Sequence, residues 1–318
     1  MIPKQLIKTL LTVIVLTTVF SVNSTAQILA INKPLFSDLP FFNTRFIRQN
    51  NVQSIKGSIS SKKVRDIIRS NNLDYLYQFN ADGTLKSQLA SHFSKGLKDS
   101  TVVSYAYKNN NISLQRKSDS YGYYSYHYNY DAQNNIITQT YCRDENKFNS
   151  KQKFELKKQY IIVKDSFSYQ TFTTQTKKTF YNSYGKKFKT QTNYYDSLGY
   201  LVEEYTKFII GNNKEKTTYE YDEIGRIHNK HVYTNISNNK KNTEVYSYDE
   251  IGNILDIKFY KENNHTSTKQ FLYDKNMLLS AMIIQDMDTD FLRIIKYRYT
   301  FYENTTKNSE LDSLDLSK

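Results

Sequence analysis

The chain has 318 residues, a net charge of +13 and a pI near 9.3, and it contains 29 Tyr and 18 Phe but no Trp. A single cysteine, Cys142, excludes a framework of internal disulfides, and we expect it to be a buried small side chain, with an intermolecular bridge as the alternative. Lys and Arg occur as short pairs such as Lys177-Lys178 rather than as a dense basic block.

The N-terminus has the pattern of an export signal. Lys4 and Lys8 precede an apolar run from Leu10 to Val22, and Ser24-Thr25-Ala26 forms a small-residue cleavage pattern before Gln27. The run is short for a membrane span, so we predict a signal peptide over residues 1–26 and no transmembrane helix after it. An uncleaved anchoring helix is the alternative. Export argues against nucleic acid as the partner of the basic chain and favours anionic polymers of the envelope.

Residues 27–72 precede the repeats described below. Pro34 and Pro40 bracket an apolar patch, residues Val52 to Ile59 have the composition of a strand, and the segment from Val64 to Ile68 has helical spacing. Because a repetitive sheet needs its ends blocked, we predict that this segment caps the first edge strand.

One phrase occurs twice in the chain, as YEYDEIGRI from Tyr219 to Ile227 and as YSYDEIGNI from Tyr246 to Ile254. Alternating aromatic residues reach a turn that begins with Asp and ends with Gly, and a new strand then starts. An Asp side chain accepts bonds from the amides that follow it, and Gly supplies the positive φ of a bulged hairpin turn. The predicted turn residues are Asp196, Gly199, Asp222, Gly225, Asp249, Gly252 and Asp274.

Weaker copies keep the same offset, with Gly83 after Asn80 and Gly185 after Asn182. Where Gly is missing, Asn is the next best left-handed residue, so we predict Asn111, Asn134 and, in a shorter loop, Asn276 at that position.

Two alternating series of turns run from residue 73 to residue 302. The Tyr-Asp series lies near residues 81, 109, 133, 198, 224, 251 and 275, with a degenerate member at Asp165-Ser166, and the second series is looser and rich in Asn and Lys. We therefore predict an all-β protein, a long antiparallel meander of about 15–18 strands. Sheet twist should curl it into an open sheet, a shell or a barrel. Residues 303–318 form a polar tail that we expect to fray.

Motifs for chemistry are weak. His228 and His231 are three apart in a predicted strand, which points them to opposite faces. Asp286, Asp288 and Asp290 have calcium-loop spacing, but Phe291 and Tyr297 stand where the turn Gly and the terminal carboxylate are needed. We predict no catalytic residues, metal or cofactor. The candidate ligand-stacking residues are Tyr219, Tyr221, Tyr246 and Tyr248, for which cross-strand packing is the competing interpretation.

The segments from Tyr221 to Ile227 and from Tyr248 to Ile254 resemble the YD repeats of the bacterial RHS/YD family, in which Tyr-Asp, two variable residues, Gly-Asn or Gly-Arg, and Leu or Ile follow one another. The segment from Tyr195 to Leu201 departs from this motif only after its Gly, and Tyr130-Asp131 lacks the Gly. In large members the repeats imply a shell around a carried domain, for which this chain is too short. The resemblance therefore implies a small exported member, porin-like in shape and without a known activity.

These observations predict a non-enzymatic, exported scaffold or binding protein of the bacterial cell envelope, periplasmic, outer-membrane-associated or secreted, with a polysaccharide or another anionic envelope polymer as partner. The alternatives are a porin-like outer-membrane barrel, although charges interrupt both faces of its strands, and a secreted hydrolase without a recognisable motif.

Overall fold

The computed structural model describes residues 27–29, 41–151, 153–236 and 240–303. The predicted signal peptide, Pro34 and Pro40, and nearly all of the predicted tail lie outside the described residues. Of the apolar patch at the two prolines, Leu35 and Phe36 also lie outside them, whereas Phe41 and Phe42 are described and Phe42 is buried. Among the described helices, none is long and apolar enough to cross a membrane.

Apart from one short helix, α1 (Thr44–Gln49), the described chain is built of 18 strands. In chain order the strands are β1 (Val52–Lys63), β2 (Arg69–Phe79), β3 (Leu85–Ser94), β4 (Leu97–Lys108), β5 (Asn111–Asp119), β6 (Gly122–Tyr130), β7 (Ile136–Asn146), β8 (Leu156–Thr171), β9 (Gln175–Tyr181), β10 (Lys187–Tyr195), β11 (Leu201–Phe208), β12 (Lys214–Tyr221), β13 (Ile227–Tyr233), β14 (Asn242–Tyr248), β15 (Ile254–Lys261), β16 (Asn264–Tyr273), β17 (Leu279–Asp286) and β18 (Phe291–Phe301). The predicted all-β meander is confirmed.

The sheet closes on itself into an 18-stranded antiparallel barrel. Each strand pairs with its neighbours in sequence, and β1 pairs with both β2 and β18. Ile55 on β1 is directly opposite Tyr77 on one side and Tyr299 on the other. Closure leaves none of the 18 described strands with a free edge, which is the way a long meander avoids pairing with other chains.

The strand β1 lies inside the segment that we expected to cap the first edge. The part of this segment from residue 52 onward joins the sheet, and the described residues before it, 27–29 and 41–51, contribute to the core cluster of the barrel. Asn43 caps α1 by accepting from the amides of Arg45 and Phe46, and the Asn43 amide donates to the Ile28 carbonyl at 2.7 Å. Val64 to Ile68 is a turn between β1 and β2 rather than a helix.

The largest cluster of buried apolar residues lies on one side of the barrel. It includes Ile28, Phe46 and Ile47 from the N-terminal segment and Ile55 of β1. The other buried members belong to the N-terminal segment, β1, β2, the residue before β17, and β15 to β18. Within the described chain, this cluster takes no buried member from β4 to β13. The remaining arc of the barrel wall is therefore not filled by the described N-terminal residues.

The two faces of the sheet can be followed by register, because directly opposite residues of an antiparallel pair point to the same side. From Tyr77 the pairs run through Gln88, Val103 and Lys117 to Tyr124. We call this the inner face, since large side chains on it, including Tyr128, Phe180 and Tyr246, are almost fully buried. The opposite face is the outer face.

One predicted turn is wrong. Asp165 and Ser166 lie in the middle of β8, which runs for 16 residues without a break, and the turn follows at residues 172–174. Asp165 faces inward opposite Gln139, and burial raises the pKa of its carboxyl. Neither Gly nor Asn follows it at the offset that a turn of this type requires.

Candidate ligand-binding wall inside the barrel

The Tyr-Asp phrase forms a bulged hairpin turn held by its Asp. In the turn between β12 and β13, Asp222 Oδ1 accepts from the amides of Ile224 and Arg226 at 3.1 and 2.8 Å. The Gly225 amide donates to the Asp222 carbonyl, Gly225 has φ +81°, and the register shifts at Glu220/Tyr221. Asp196, Asp249 and Asp274 accept in the same way, and Gly199 and Gly252 have φ +86° and +94°.

In two of these turns, the side chain of the residue after Gly donates a hydrogen bond to the Asp carboxylate. Arg226 Nε donates to Asp222 Oδ2 at 2.7 Å, and Asn253 Nδ2 donates to Asp249 Oδ2 at 2.9 Å. Burial acts to raise the pKa of Asp222, but the bonds from Arg226 outweigh it and the pKa is lowered. In the Asp196 turn this position holds Tyr200, which instead packs on Tyr221 with ring centroids 4.9 Å apart. The Gly-Arg and Gly-Asn pairs thus have a local structural reason.

For two turns, the prediction assigned the left-handed conformation to the wrong residue. In the Asp274 turn the residue with positive φ is Met277, at +62°, rather than Asn276, so this loop has the same length as the others. Between β4 and β5 the left-handed residues are Asn109 and Asn110, not Asn111, because this hairpin has a two-residue loop. Asn134 has φ +63°, as predicted.

Tyrosines near the ends of alternate strands form a second set of bonds at the same end of the barrel, which we call the Tyr ring. Each hydroxyl donates, at 2.6 to 2.9 Å, to the carbonyl of the first or second residue of the preceding strand. The pairs are Tyr107 to Leu85, Tyr130 to Ile112, Tyr169 to Ile136, Tyr221 to Leu201, Tyr248 to Ile227, Tyr273 to Ile254 and Tyr299 to Leu279. The turns and the Tyr ring therefore fasten neighbouring strands alternately.

The four tyrosines predicted to stack on a ligand have partners within the sheet. Tyr221 and Tyr248 belong to the Tyr ring. The Tyr219 hydroxyl donates to Glu204 Oε2 at 3.2 Å, and the hydroxyl of Tyr246, which is only 6% exposed, donates to Glu244. Contact with a ligand at these residues stays a prediction, and it would compete with the bonds described here.

A different group of tyrosines faces the unfilled arc of the interior. Tyr124, Tyr126 and Tyr128 alternate along β6, and Tyr141 of β7 lies opposite Tyr126 with ring centroids 4.7 Å apart and planes at 24°. Tyr124 also stacks on Tyr141, at 5.9 Å. We call these four residues the Tyr wall. In the part of the chain that the structure describes, the hydroxyls of Tyr124, Tyr126 and Tyr141 have no hydrogen-bond partner, in contrast to those of the Tyr ring.

Two lysines extend this inner surface on β9 and β10. Lys178 Nζ lies 4.1 Å from the centroid of the Phe167 ring and 4.8 Å from that of Phe180, and Lys189 Nζ lies 4.0 Å from the Phe180 centroid. Burial lowers the pKa of Lys178 to about 8, with a further contribution from the charge of Lys189, and it lowers the pKa of Lys189 as well. We call Lys178 and Lys189 the Lys pair.

The outer face of β5 to β8 holds a closed polar network. Arg116 Nε donates to Asp144 Oδ2 at 2.8 Å, and the guanidinium lies 3.9 Å from the centroid of the Phe154 ring. Gln159 Nε2 donates to Asp144 Oδ1 at 2.7 Å and lies 3.0 Å from His127 Nε2, and Ser125 Oγ lies 3.2 Å from the same nitrogen. This Ser-His contact offers no accessible nucleophile, because Ser125 is 0% exposed.

A cavity of about 640 Å³ adjoins this network where β6 and β7 meet the start of β8. Its polar lining includes Tyr123, Arg143, Asp144, Glu145, Lys157 and Tyr160. The Tyr160 hydroxyl donates to Glu145 Oε1 at 3.1 Å, and Arg116 already pairs with Asp144. Charges of both signs line the cavity and are partly paired, so it favours no charge class of ligand.

Other residues considered as site candidates in the sequence are buried or bonded to neighbouring residues. Cys142 is 1% exposed and free, and burial raises the pKa of its thiol. His231 Nδ1 lies 2.9 Å from Thr243 Oγ1, and Asp286 Oδ1 accepts from the Thr289 amide within its own turn. Across the described residues, no group of three or more His, Cys, Asp or Glu side chains is placed to hold a metal ion.

Neither the Tyr wall nor the Lys pair was predicted from the sequence. The signal for the Tyr wall is the run YGYYSYHYNY, in which Tyr recurs at every second position from Tyr124 to Tyr130. The Lys pair has no comparable signal, because Lys177 and Lys178 are neighbours and only the register determines which of them faces inward.

No protein-family model matches the chain, and no curated protein matches it. Among solved structures it is similar to a porin-like protein from Bacteroides uniformis, with a TM-score of 0.37 and 12% identity over 79% of this chain and 97% of the other. A porin-like protein from Bacteroides vulgatus has a TM-score of 0.31 and 9% identity over 78% and 98%. A LolA superfamily protein from Nitrosomonas europaea has a TM-score of 0.19 and 8% identity over 81% and 89%.

With TM-scores below 0.5 and identities of 12% or less, these likenesses carry no argument about function. The resemblance to YD repeats likewise stays a resemblance of motifs, to which the structure adds a physical account of the turn.

Proposed function

We propose that this protein is a non-enzymatic, exported barrel of the bacterial cell envelope that binds a carbohydrate chain along the Tyr wall. The observation that carries the proposal is the contrast between two groups of tyrosines. Hydroxyls of the Tyr ring are bonded to backbone carbonyls, whereas three hydroxyls of the Tyr wall have no partner in the described chain and face the part of the interior left open by the described N-terminal residues.

Carbohydrates suit such a surface for a chemical reason. A sugar has apolar C–H patches and many hydroxyls, and Tyr combines an apolar ring with a group that both donates and accepts. Neighbouring inward residues, among them Gln115 and Gln139, pair directly with Tyr126 and Tyr128 and add amide groups to the same surface. The export signal predicted at residues 1–26 supports an envelope location, where polysaccharides are abundant.

The alternative of a lipid-spanning porin-like barrel has less support. A lipid-facing surface needs an apolar band on one face of every strand. On β12, one face has Lys216, Thr218 and Glu220, and the other has Glu215, Thr217 and Tyr219. Because charges interrupt both faces, the proposal places the barrel in water.

The test is binding of the purified protein to an array of neutral and acidic polysaccharides, followed by calorimetry with a neutral oligosaccharide that binds. Tyr126→Ala and Tyr141→Ala should each weaken binding by about fivefold or more, since stacking of an aromatic ring is worth on the order of 1 kcal/mol or more. Tyr205→Ala is the matched control, because Tyr205 is a part-exposed tyrosine on the outer face of β11. Equal weakening by all three variants, or no binding to any polysaccharide, would rule the proposal out.

A further inference from the structure

The Lys pair lacks the carboxylate partner that Lys117 and Lys230, two other lysines of the inner face, possess. Lys117 Nζ pairs with Asp119 at 2.9 Å, and Lys230 Nζ pairs with Glu244 at 3.0 Å. Within the described residues, neither Lys178 nor Lys189 has a carboxylate oxygen within 4.0 Å. Both lysines are instead surrounded by aromatic rings, and both lie near the same Phe180 ring.

Titratable groups near the Lys pair come from two other strands, β8 and β12, and do not neutralise it. Asp165 on β8 and Glu215 on β12 act on Lys189 at longer range, and Tyr169 on β8 lies opposite Lys178. The two ammonium groups also repel each other, which contributes to the lowered pKa of Lys178. Two cations held in part-buried, mostly apolar surroundings are costly unless an anion joins them. Aromatic rings offset this cost only partly.

The Lys pair is continuous with the Tyr wall along the inner face. Tyr128 on β6 lies opposite Gln139 on β7, which lies opposite Asp165 on β8. Two residues further along β8, Phe167 is opposite Phe180, and then Tyr169 is opposite Lys178. A polysaccharide bound along the Tyr wall would therefore reach the Lys pair by spanning only a few neighbouring strands.

We propose that the Lys pair is a site for the carboxylate group of an acidic sugar, so that the barrel selects acidic over neutral polysaccharides. This inference rests on the proposed function for the sugar and adds the residues that recognise the charge. A carboxylate between the two ammonium groups would accept charge-assisted hydrogen bonds, which are stronger than those between neutral groups. Phe167 and Phe180 would then flank the site on its apolar side.

The experiment measures binding of three probes to the full protein by calorimetry at low salt. Hexagalacturonate carries sugar and carboxylate, cellohexaose carries sugar alone, and a short polyglutamate carries carboxylate without sugar. Hexagalacturonate should bind at least about tenfold more tightly than cellohexaose, since each charge-assisted bond is worth about 1.5 kcal/mol or more. Its affinity should fall from pH 7 to pH 9, because Lys178 loses its proton over this range.

Lys178→Met and Lys189→Met should each remove most of this preference, whereas binding of cellohexaose should change little. Lys177→Met is the matched control, because Lys177 precedes Lys178 on β9 and belongs to the outer face. Thermal melts of all three variants establish that the barrel is intact before binding is compared.

The outcomes separate the two proposals. If cellohexaose and hexagalacturonate bind equally and the lysine variants behave as Lys177→Met does, the Lys pair inference is wrong and the proposed function stands. If polyglutamate and hexagalacturonate bind through the Lys pair and cellohexaose does not bind, the anion site stands and recognition of the sugar is wrong. If no probe binds, both are overturned.

Discussion

Gly83 and Gly199 occupy equivalent turns but have different surroundings. Their φ angles are +84° and +86°, so both positions are left-handed. A Cβ at Gly199 would have no other atom within 4 Å, whereas a Cβ at Gly83 would collide with the Thr44 carbonyl and lie 2.9 Å from the Arg48 amide. Backbone atoms of α1 cannot yield unless the helix moves.

We therefore predict that Gly199→Ala lowers the free energy of unfolding by about 1 kcal/mol, through backbone strain alone. Gly83→Ala should cost a further ~1–3 kcal/mol, because it adds overpacking against α1. Urea denaturation of the two variants measures the difference. Equal midpoints would show that α1 does not pack on this turn as described.

Replacing Gly225 by Val or by Asn would not separate backbone strain from collision. A Cβ at this position would meet the hydroxyl and ring of Tyr200, so Asn is also obstructed unless Tyr200 moves. Gly199 is the position at which backbone strain acts by itself. The turn pattern indicates positive φ at both residues, but only the fold shows that Tyr200 covers one of them.

At Met277, the hydrogen bonds of the turn impose a left-handed conformation that the residue type does not favour. Asn is the better left-handed residue by type, and Asn276 is adjacent. The Asp274 carboxylate nevertheless accepts from the amides of Asn276 and Leu278, which sets the third residue after Asp as the left-handed one. Position relative to the Asp therefore decides the conformation, and Met277 adopts φ +62°.

At the scale of strands, the Tyr ring and the turns both connect neighbouring strands at the same end of the barrel. Turns of the Tyr-Asp type join β12 to β13, and the Tyr221 hydroxyl joins the same end of β12 back to β11. Without this bond, the ends of β11 and β12 opposite their own connecting turn would depend on ladder hydrogen bonds alone. The Tyr of the Tyr-Asp phrase thus links its strand to the preceding strand through a side-chain hydrogen bond.

We predict that Tyr221→Phe lowers the free energy of unfolding by about 0.5–1.5 kcal/mol, because it leaves the part-buried Leu201 carbonyl without its donor. Tyr126→Phe is the matched control: it deletes a hydroxyl that has no partner in the described chain, so its stability should be close to that of the parent. Chemical denaturation compares the two. A larger loss for Tyr126→Phe than for Tyr221→Phe would contradict the distinction between the Tyr ring and the Tyr wall.

Strand boundaries follow from turn chemistry wherever Asp or Asn and Gly occur together. They are missed at β8, where Asp165 is an inward residue of a long strand and the turn at residues 172–174 has no Gly. The composition from Val52 to Ile59 indicated a strand, but its partners are set by long-range pairing. That strand is β1, which joins β2 to β18 and closes the barrel.

For the whole molecule, the many buried tyrosines should make the protein less stable at high pH. Burial raises the pKa of Tyr105, Tyr169 and Tyr248 to about 12, from an ordinary value of 10.0. A raised pKa means that the native state favours the neutral phenol. This contribution to stability is fully present below pH 10 and is lost as pH rises through 12.

We predict that the barrel resists moderate alkali and then unfolds cooperatively above about pH 10, with a class of tyrosines that ionises only on unfolding. Tyrosinate absorbance and far-UV circular dichroism, followed together against pH, should change in the same step. In concentrated denaturant the same tyrosines should titrate as a single group near the ordinary value. Ionisation of all tyrosines near pH 10 with the circular dichroism unchanged would refute this prediction.

The sequence by itself determined most of the Tyr-Asp turns, the all-β class and a strand number close to that observed, because a bulged turn is built from contacts within five residues of its Asp. Only the tertiary structure decided that the meander closes, since closure depends on pairs as distant as Ile55 and Tyr299. It also decided which tyrosines bond to the preceding strand, which others, such as Tyr126, face the interior without a hydroxyl partner in the described chain, and which of Lys177 and Lys178 points inward. Each bulge shifts the register by one residue, so the face of a side chain depends on the sum of long-range pairings and cannot be deduced from local spacing.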